Sequence, residues 1–171
     1  TSSFLGQVIH RSDKGGVTMT MEGYISQLCN RFNILPEDKA SSPSDKDLFQ
    51  DTSFLPAVDM TLYQKLIGGL IYVLKNRSDV RKEVIYLATK TAKPNMGDLI
   101  KCIRVLKYLN TTKTLGPTFY TEEGVVLYGC VDAAYGVHAD GRSRTGFFIS
   151  IGRYSAPICC YTSAQNACVS Q

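Results

Sequence analysis

The strongest constraint in this chain is a change of hydrophobic period near Leu115. From Thr61 to Leu109 apolar residues recur three and four apart, the spacing of one helix face; after Leu115 they fall in short runs rich in β-branched and aromatic residues. A sequence built this way cannot be all-helical or all-β. It predicts an α+β protein in three stretches: a hairpin over residues 1–18, a helical region over 19–115, and an antiparallel meander over 116–171.

Within the helical region "MEGYISQLCNRF" places Tyr24, Ile25, Leu28 and Phe32 on one face, and Pro36 follows its end. "TLYQKLIGGLIYVLKN" aligns Leu62, Leu66, Leu70, Val73 and Leu74. Its Gly68-Gly69 pair costs about 1 kcal/mol per glycine relative to alanine, which predicts close approach by a neighbouring backbone. Ser78 is the expected cap of a third helix that turns Val80, Val84, Leu87 and Ala88 inward. A fourth buries Leu99, Cys102, Ile103, Leu106 and Leu109 and presents Lys101, Arg104, Lys107 and Tyr108 on the other arc. Residues 37–60 are polar, hold Pro43 and Pro56, show no period, and read as a mobile surface loop. At the start, "FLGQVIHR" and "VTMTM" read as two strands joined through Gly15-Gly16.

Charge is uneven. The chain carries +4, yet Thr61 to Lys113 alone holds eleven basic residues against three acids, a net +8. Clustered cations favour the phosphate backbone of nucleic acids, and Tyr63, Tyr72, Tyr86 and Tyr108 lie among them. Charge alone does not settle this against a solvated helical surface whose tyrosines belong to the core. The apolar runs fall short of about 18 residues, so no membrane span or membrane partner is expected. The start lacks the regions of a signal peptide and begins without methionine, as a processed product or a piece of a longer chain would. Cys29, Cys102, Cys130, Cys159, Cys160 and Cys168 form no CxxC and no zinc spacing with His10 or His138. Free thiols in a reducing, intracellular setting are expected.

Candidate chemistry is sparse. Asp132 ends an apolar run, and Asp140 lies eight residues on in an Asp-Gly turn. Two-metal phosphodiester cleavage needs several carboxylates around one point, so a lone strand-end aspartate reads as ordinary structure. His138 reads as a turn residue, and there is no P-loop, GxGxxG, GxSxG or HExxH.

The motifs, taken in order, resemble the copia-type reverse transcriptase–ribonuclease H region of retrotransposon polyproteins. "FLGQVIH" is similar to the primer-grip hairpin, with Phe4, Leu5 and Gly6 as its grip residues. "YISQLCNRFNI" is similar to the first thumb helix, and "YQKLIGGLIYVLKNRSDV" to the signature that follows, with Ser78 where the family usually has proline. "RVLKYLNTTKTLG" matches a further thumb motif, and "VDAAYGVHADGRSRTGFFISIG" the opening of the ribonuclease H domain. The resemblance runs through nearly the whole length. It implies a primer-grip-like hairpin (1–18), a thumb or connection-like helical bundle (19–115) and a truncated, incomplete ribonuclease H-like sheet (116–171).

It also implies that the chain is a polyprotein fragment that grips an RNA–DNA hybrid or DNA duplex backbone through Lys65, Lys75, Arg77, Arg81, Lys101, Arg104, Lys107 and Tyr108. Its partners would then be that nucleic acid and the rest of the polyprotein, in the cytoplasm, the nucleus or a retroelement particle. Asp132 matches the first ribonuclease H acid, a Mg²⁺ ligand in the intact parent enzyme. No other catalytic residue carries over. The polymerase aspartates belong upstream of Thr1, and "TSAQNACVSQ" departs from the family's Ser-x-Lys-Gln at Ala164. One acid cannot hold two metals, so this chain alone is expected neither to bind Mg²⁺ tightly nor to cleave hybrids. The alternative is a captured, non-enzymatic remnant that binds nucleic acid, or binds protein through an exposed sheet edge.

Overall fold

The computed structural model describes residues 2–13, 15–120, 125–138 and 140–165. The predicted mixed class is what forms: two antiparallel sheets and four α-helices, in the order β1 (Ser2–Phe4), β2 (Gln7–Arg11), β3 (Val17–Thr20), α1 (Glu22–Arg31), α2 (Met60–Val73), α3 (Arg81–Ala88), α4 (Met96–Thr111), β4 (Thr118–Phe119), β5 (Leu127–Ala134), β6 (Arg144–Ile151) and β7 (Pro157–Ala164). The chain divides into two compact units. One holds residues 1–22 and 114–171, and the other, helical, holds 23–113.

The N-terminal segment differs from the single hairpin expected. Leu5 and Gly6 take positive φ (49° and 76°), forming a two-residue turn that pairs Phe4 with Gln7 and adds β1 to the sheet. Gly15 alone of the glycine pair has positive φ (83°) at the second turn. β4 pairs with β3, Thr118 opposite Thr18, so residues 118–119 complete the first sheet rather than start the meander. The second sheet runs β5–β6–β7, fully antiparallel.

The hydrophobic core lies in the helical unit, where Ile25, Leu66, Leu70, Val84, Leu87, Val105, Leu106 and Leu109 are fully buried. α2 is rotated from the expected face: Tyr63 and Ile67 point inward and Leu62 is exposed. Tyr63 reaches across to donate its hydroxyl to the Leu87 carbonyl at 2.9 Å, and that polar anchor selects the rotation. Asp59 caps α2, accepting from the Thr61 and Leu62 amides. Asn95 and Asp98 form a reciprocal capping box on α4. Ser78 opens a 3-10 turn instead of capping α3, whose N-cap is Val80. In α4 the expected Leu99 and Ile103 are only half-buried, while Val105 is buried.

The glycine pair splits by role. A Cβ at Gly69 would stand 2.5 Å from Cδ1 of the buried Leu28 on α1, and the Tyr24 hydroxyl donates to the Gly69 carbonyl at 3.3 Å. A Cβ at Gly68 meets nothing within 4 Å. Gly68→Ala should therefore raise stability by about 1 kcal/mol through helix propensity. Gly69→Ala should lower it by about 1 kcal/mol, because overpacking outweighs the same gain. Urea unfolding of both variants checks the opposite signs.

Candidate nucleic-acid interface

The predicted contact residues do not form one surface. On α2 and just beyond it, Lys65 and Lys75 are exposed, and the Lys75 ammonium lies 4.0 Å from the centroid of the Tyr72 ring. Arg81 is half-buried at the start of α3. Lys65 and Lys75 thus remain open to solvent.

Arg77 is different. It is 2% exposed, and its guanidinium donates to Asp79 Oδ1 and Oδ2 at 2.9 and 2.7 Å and to the Thr112 carbonyl and hydroxyl at 2.8 and 2.7 Å. Its position is that of a strut joining the end of α2 to the end of α4, not of a surface cation. Tyr108 serves the same cluster, donating its hydroxyl to Asp79 Oδ2 at 3.0 Å beneath the guanidinium. Burial raises the Asp79 pKa. The Arg77 hydrogen bonds and charge, with the Tyr108 hydroxyl, more than offset this and hold the carboxyl below its ordinary value.

Lys101, Arg104 and Lys107 do share one arc of α4, as the helical period requires. That arc is covered. The long irregular segment between α1 and α2 lies along it. Asp45 pairs with Arg104 at 2.8 Å, Asp38 pairs with Lys107 at 2.7 Å, and Lys101 donates to the Gln50 carbonyl at 3.1 Å. The segment is pinned apolarly as well. Leu48 is buried, Phe49 meets the Tyr86 ring edge-on at 4.9 Å, and Thr52 packs so tightly on Gly97 that a Cβ there would stand 2.6 Å from it. These residues were missed as members of the site, although residues 37–59 hold six acids against two lysines beside a region of net +8.

Phe4, Leu5 and Gly6 sit at the exposed tip of the β1–β2 turn, with Phe4 and Leu5 each 66% exposed. Asp132 lies on β5, exposed, with Oδ1 accepting from the Ala133 amide at 2.8 Å. Asp140 instead accepts from the Arg142 amide and guanidinium, at 3.2 and 2.7 Å. Among the described residues no three His, Cys, Asp or Glu side chains gather closely enough to hold a metal ion. His138 is a turn residue, its amide donating to the Arg142 carbonyl.

Only Cys29 and Cys102 of the described cysteines are buried, and Cys130 and Cys159 are exposed; Cys168 lies outside the described residues. Burial pushes the Cys102 thiol up to about 12, which keeps it protonated and inert at neutral pH. No helix among the described residues is long and apolar enough to cross a membrane.

No family model matches the chain, and no solved structure matches it. Two curated proteins do. A transposon Ty5-1 protein of Saccharomyces cerevisiae is 29% identical over 152 residues, covering 86% of this chain and 49% of that protein. An uncharacterized mitochondrial protein of Arabidopsis thaliana is 24% identical over 150 residues, covering 87% of this chain and 62% of it. The chain thus spans about half the length of the first relative and less than two thirds of the second. Over most of its own length it is related in sequence to a transposon protein of yeast.

Proposed function

We propose that the chain is a retrotransposon-derived segment of a copia-type reverse transcriptase–ribonuclease H whose helical unit grips the backbone of an RNA–DNA hybrid or DNA duplex. Its relationship to a transposon protein supports the origin. The observation that carries the grip is the cationic surplus of the helical unit, with Lys65, Lys75, Lys82 and Lys93 exposed on it. Point-like ammonium groups on flexible stems suit phosphate contact without base readout. In this reading the turn at Phe4, Leu5 and Gly6 acts as a primer-grip tip. Asp132 is a remnant or partial ribonuclease acid rather than a working centre, and the chain works beside other parts of a longer polyprotein.

Fluorescence anisotropy with a labelled hybrid tests this. Affinity should fall steeply with salt, with a log–log slope near −0.9 per phosphate contact, and be indifferent to base sequence. Lys65→Ala and Lys75→Ala should each make the slope shallower by about one contact's worth. Binding that ignores salt would remove the proposal.

A protein-interaction reading has one observation in its favour. Leu127, Val131, Phe147, Ile151 and Tyr161 lie at paired positions on one face of the β5–β7 sheet and are all exposed.

A further inference from the structure

The segment that lies on α4 does something the grip reading alone does not require. Three cations on successive turns of one helix each take an oxygen from it: Lys101 from the Gln50 carbonyl, Arg104 from Asp45, and Lys107 from Asp38. Arg104 also donates to the Ser42 hydroxyl at 3.2 Å, while its buried Nε has no hydrogen-bond partner.

We propose that residues 38–50 are an acidic strap that holds the cationic face of α4 in place of phosphate, so that nucleic acid gains this face by displacing the strap. The inference rests on the nucleic-acid reading above. It adds the regulation of that surface.

The strap's side-chain ion pairs are weak, while backbone hydrogen bonds and apolar side chains hold it near both ends. Asp45 is 62% exposed and Asp38 29% exposed, and ion pairs at such positions stabilise by well under the energy of a buried contact. The Lys107 hydrogen bond holds the Asp38 carboxyl below its ordinary pKa, so it stays charged and competes with phosphate throughout the neutral range. Toward its end, by contrast, Leu48 is buried and Phe49 packs on Tyr86. At its start the Asn110 amide donates to the Leu35 and Asp38 carbonyls, each at 3.0 Å. Between strap and helix lies a cavity of about 550 Å³, lined in part by Pro43, Ile103, Lys101, Arg104 and Lys107, so the two are not packed solidly together. A polyanion that meets all three cations at once gains counterion release that two carboxylates on a tether do not.

The test compares the full chain with its Asp38→Asn/Asp45→Asn variant, using a labelled RNA–DNA hybrid of about 20 base pairs. Removing the two carboxylates should raise affinity about tenfold near 0.1 M salt and steepen the salt slope by about 1.8, the increment for two added cations. Asp45→Asn alone alters only an exposed group, so it keeps the comparison valid should the double variant fold poorly; half the increment is expected. Hydrogen exchange at residues 38–47 of the unaltered chain should speed up when hybrid binds. If the unaltered chain binds hybrid with salt dependence, but the variants match it and the strap amides keep their protection, the strap proposal is overturned. If neither chain binds hybrid at any salt, the grip reading itself has failed and this inference falls with it.

Discussion

Replacing Arg77 by alanine is expected to lower the stability of the helical unit by about 3 kcal/mol, a shift of roughly 15 °C for a unit of this size. Three losses combine. The guanidinium is 2% exposed and fills space between the ends of α2 and α4, so its removal leaves a void. Thr112 loses two donated hydrogen bonds where α4 ends, leaving its carbonyl without that donor. Asp79 loses the partner that offsets its desolvation, although its 40% side-chain exposure lets water recover part of that loss. Arg77→Lys should recover less than half, because an ammonium cannot make the forked contact to Asp79 while still reaching Thr112.

The pH dependence follows from Asp79. Its folded pKa lies below the unfolded value, so the stabilisation is complete above that unfolded value of 3.8 and fades as pH falls through the folded one. Urea unfolding should therefore show a wide gap between the unaltered chain and Arg77→Ala at pH 7. The gap should narrow on acidification below about pH 4. A gap that is constant with pH would mean that the void, not the ion pair, dominates.

The second large effect is a contrast in hydrogen exchange. Amides of α2 and α4 should exchange at least about a thousandfold more slowly than those of β5–β7, since each 1.4 kcal/mol of local opening free energy is a factor of ten. Among the described residues the buried apolar side chains all lie between Met21 and Leu109, whereas every residue of β5 is exposed and Val131 is 82% so. A three-stranded sheet with no described element covering its apolar face has backbone hydrogen bonds but little hydrophobic stabilisation behind them. Equal protection in both regions would show that the sheet is stabilised by something other than the contacts seen here.

The sheet and the helices also show why some of this protein was legible in its residues and some was not. Local periodicity reports which residues of one helix share a face, and for α4 it located Lys101, Arg104 and Lys107 on one arc correctly. It does not report how that helix is turned against its neighbours. Tyr63 displaced Leu62 from the core because its hydroxyl finds the Leu87 carbonyl 24 residues away, a contact no window of sequence contains. Arg77 looked like one more member of a basic run for the same reason: its partner Thr112 lies 35 residues on.

By itself, the sequence determined the α+β class, the positions of the four helices and of the late strands, and the concentration of positive charge between Thr61 and Lys113. Those properties depend on neighbours within a turn or two, or on composition alone. Tertiary structure alone decided which of the cations are available. Arg77 is buried as a strut, Lys101, Arg104 and Lys107 lie beneath the strap, and Lys65 and Lys75 remain open to solvent. The physical reason is that a charge's role is set by what lies within about 4 Å of it, and in a folded chain those atoms come from residues tens of positions away.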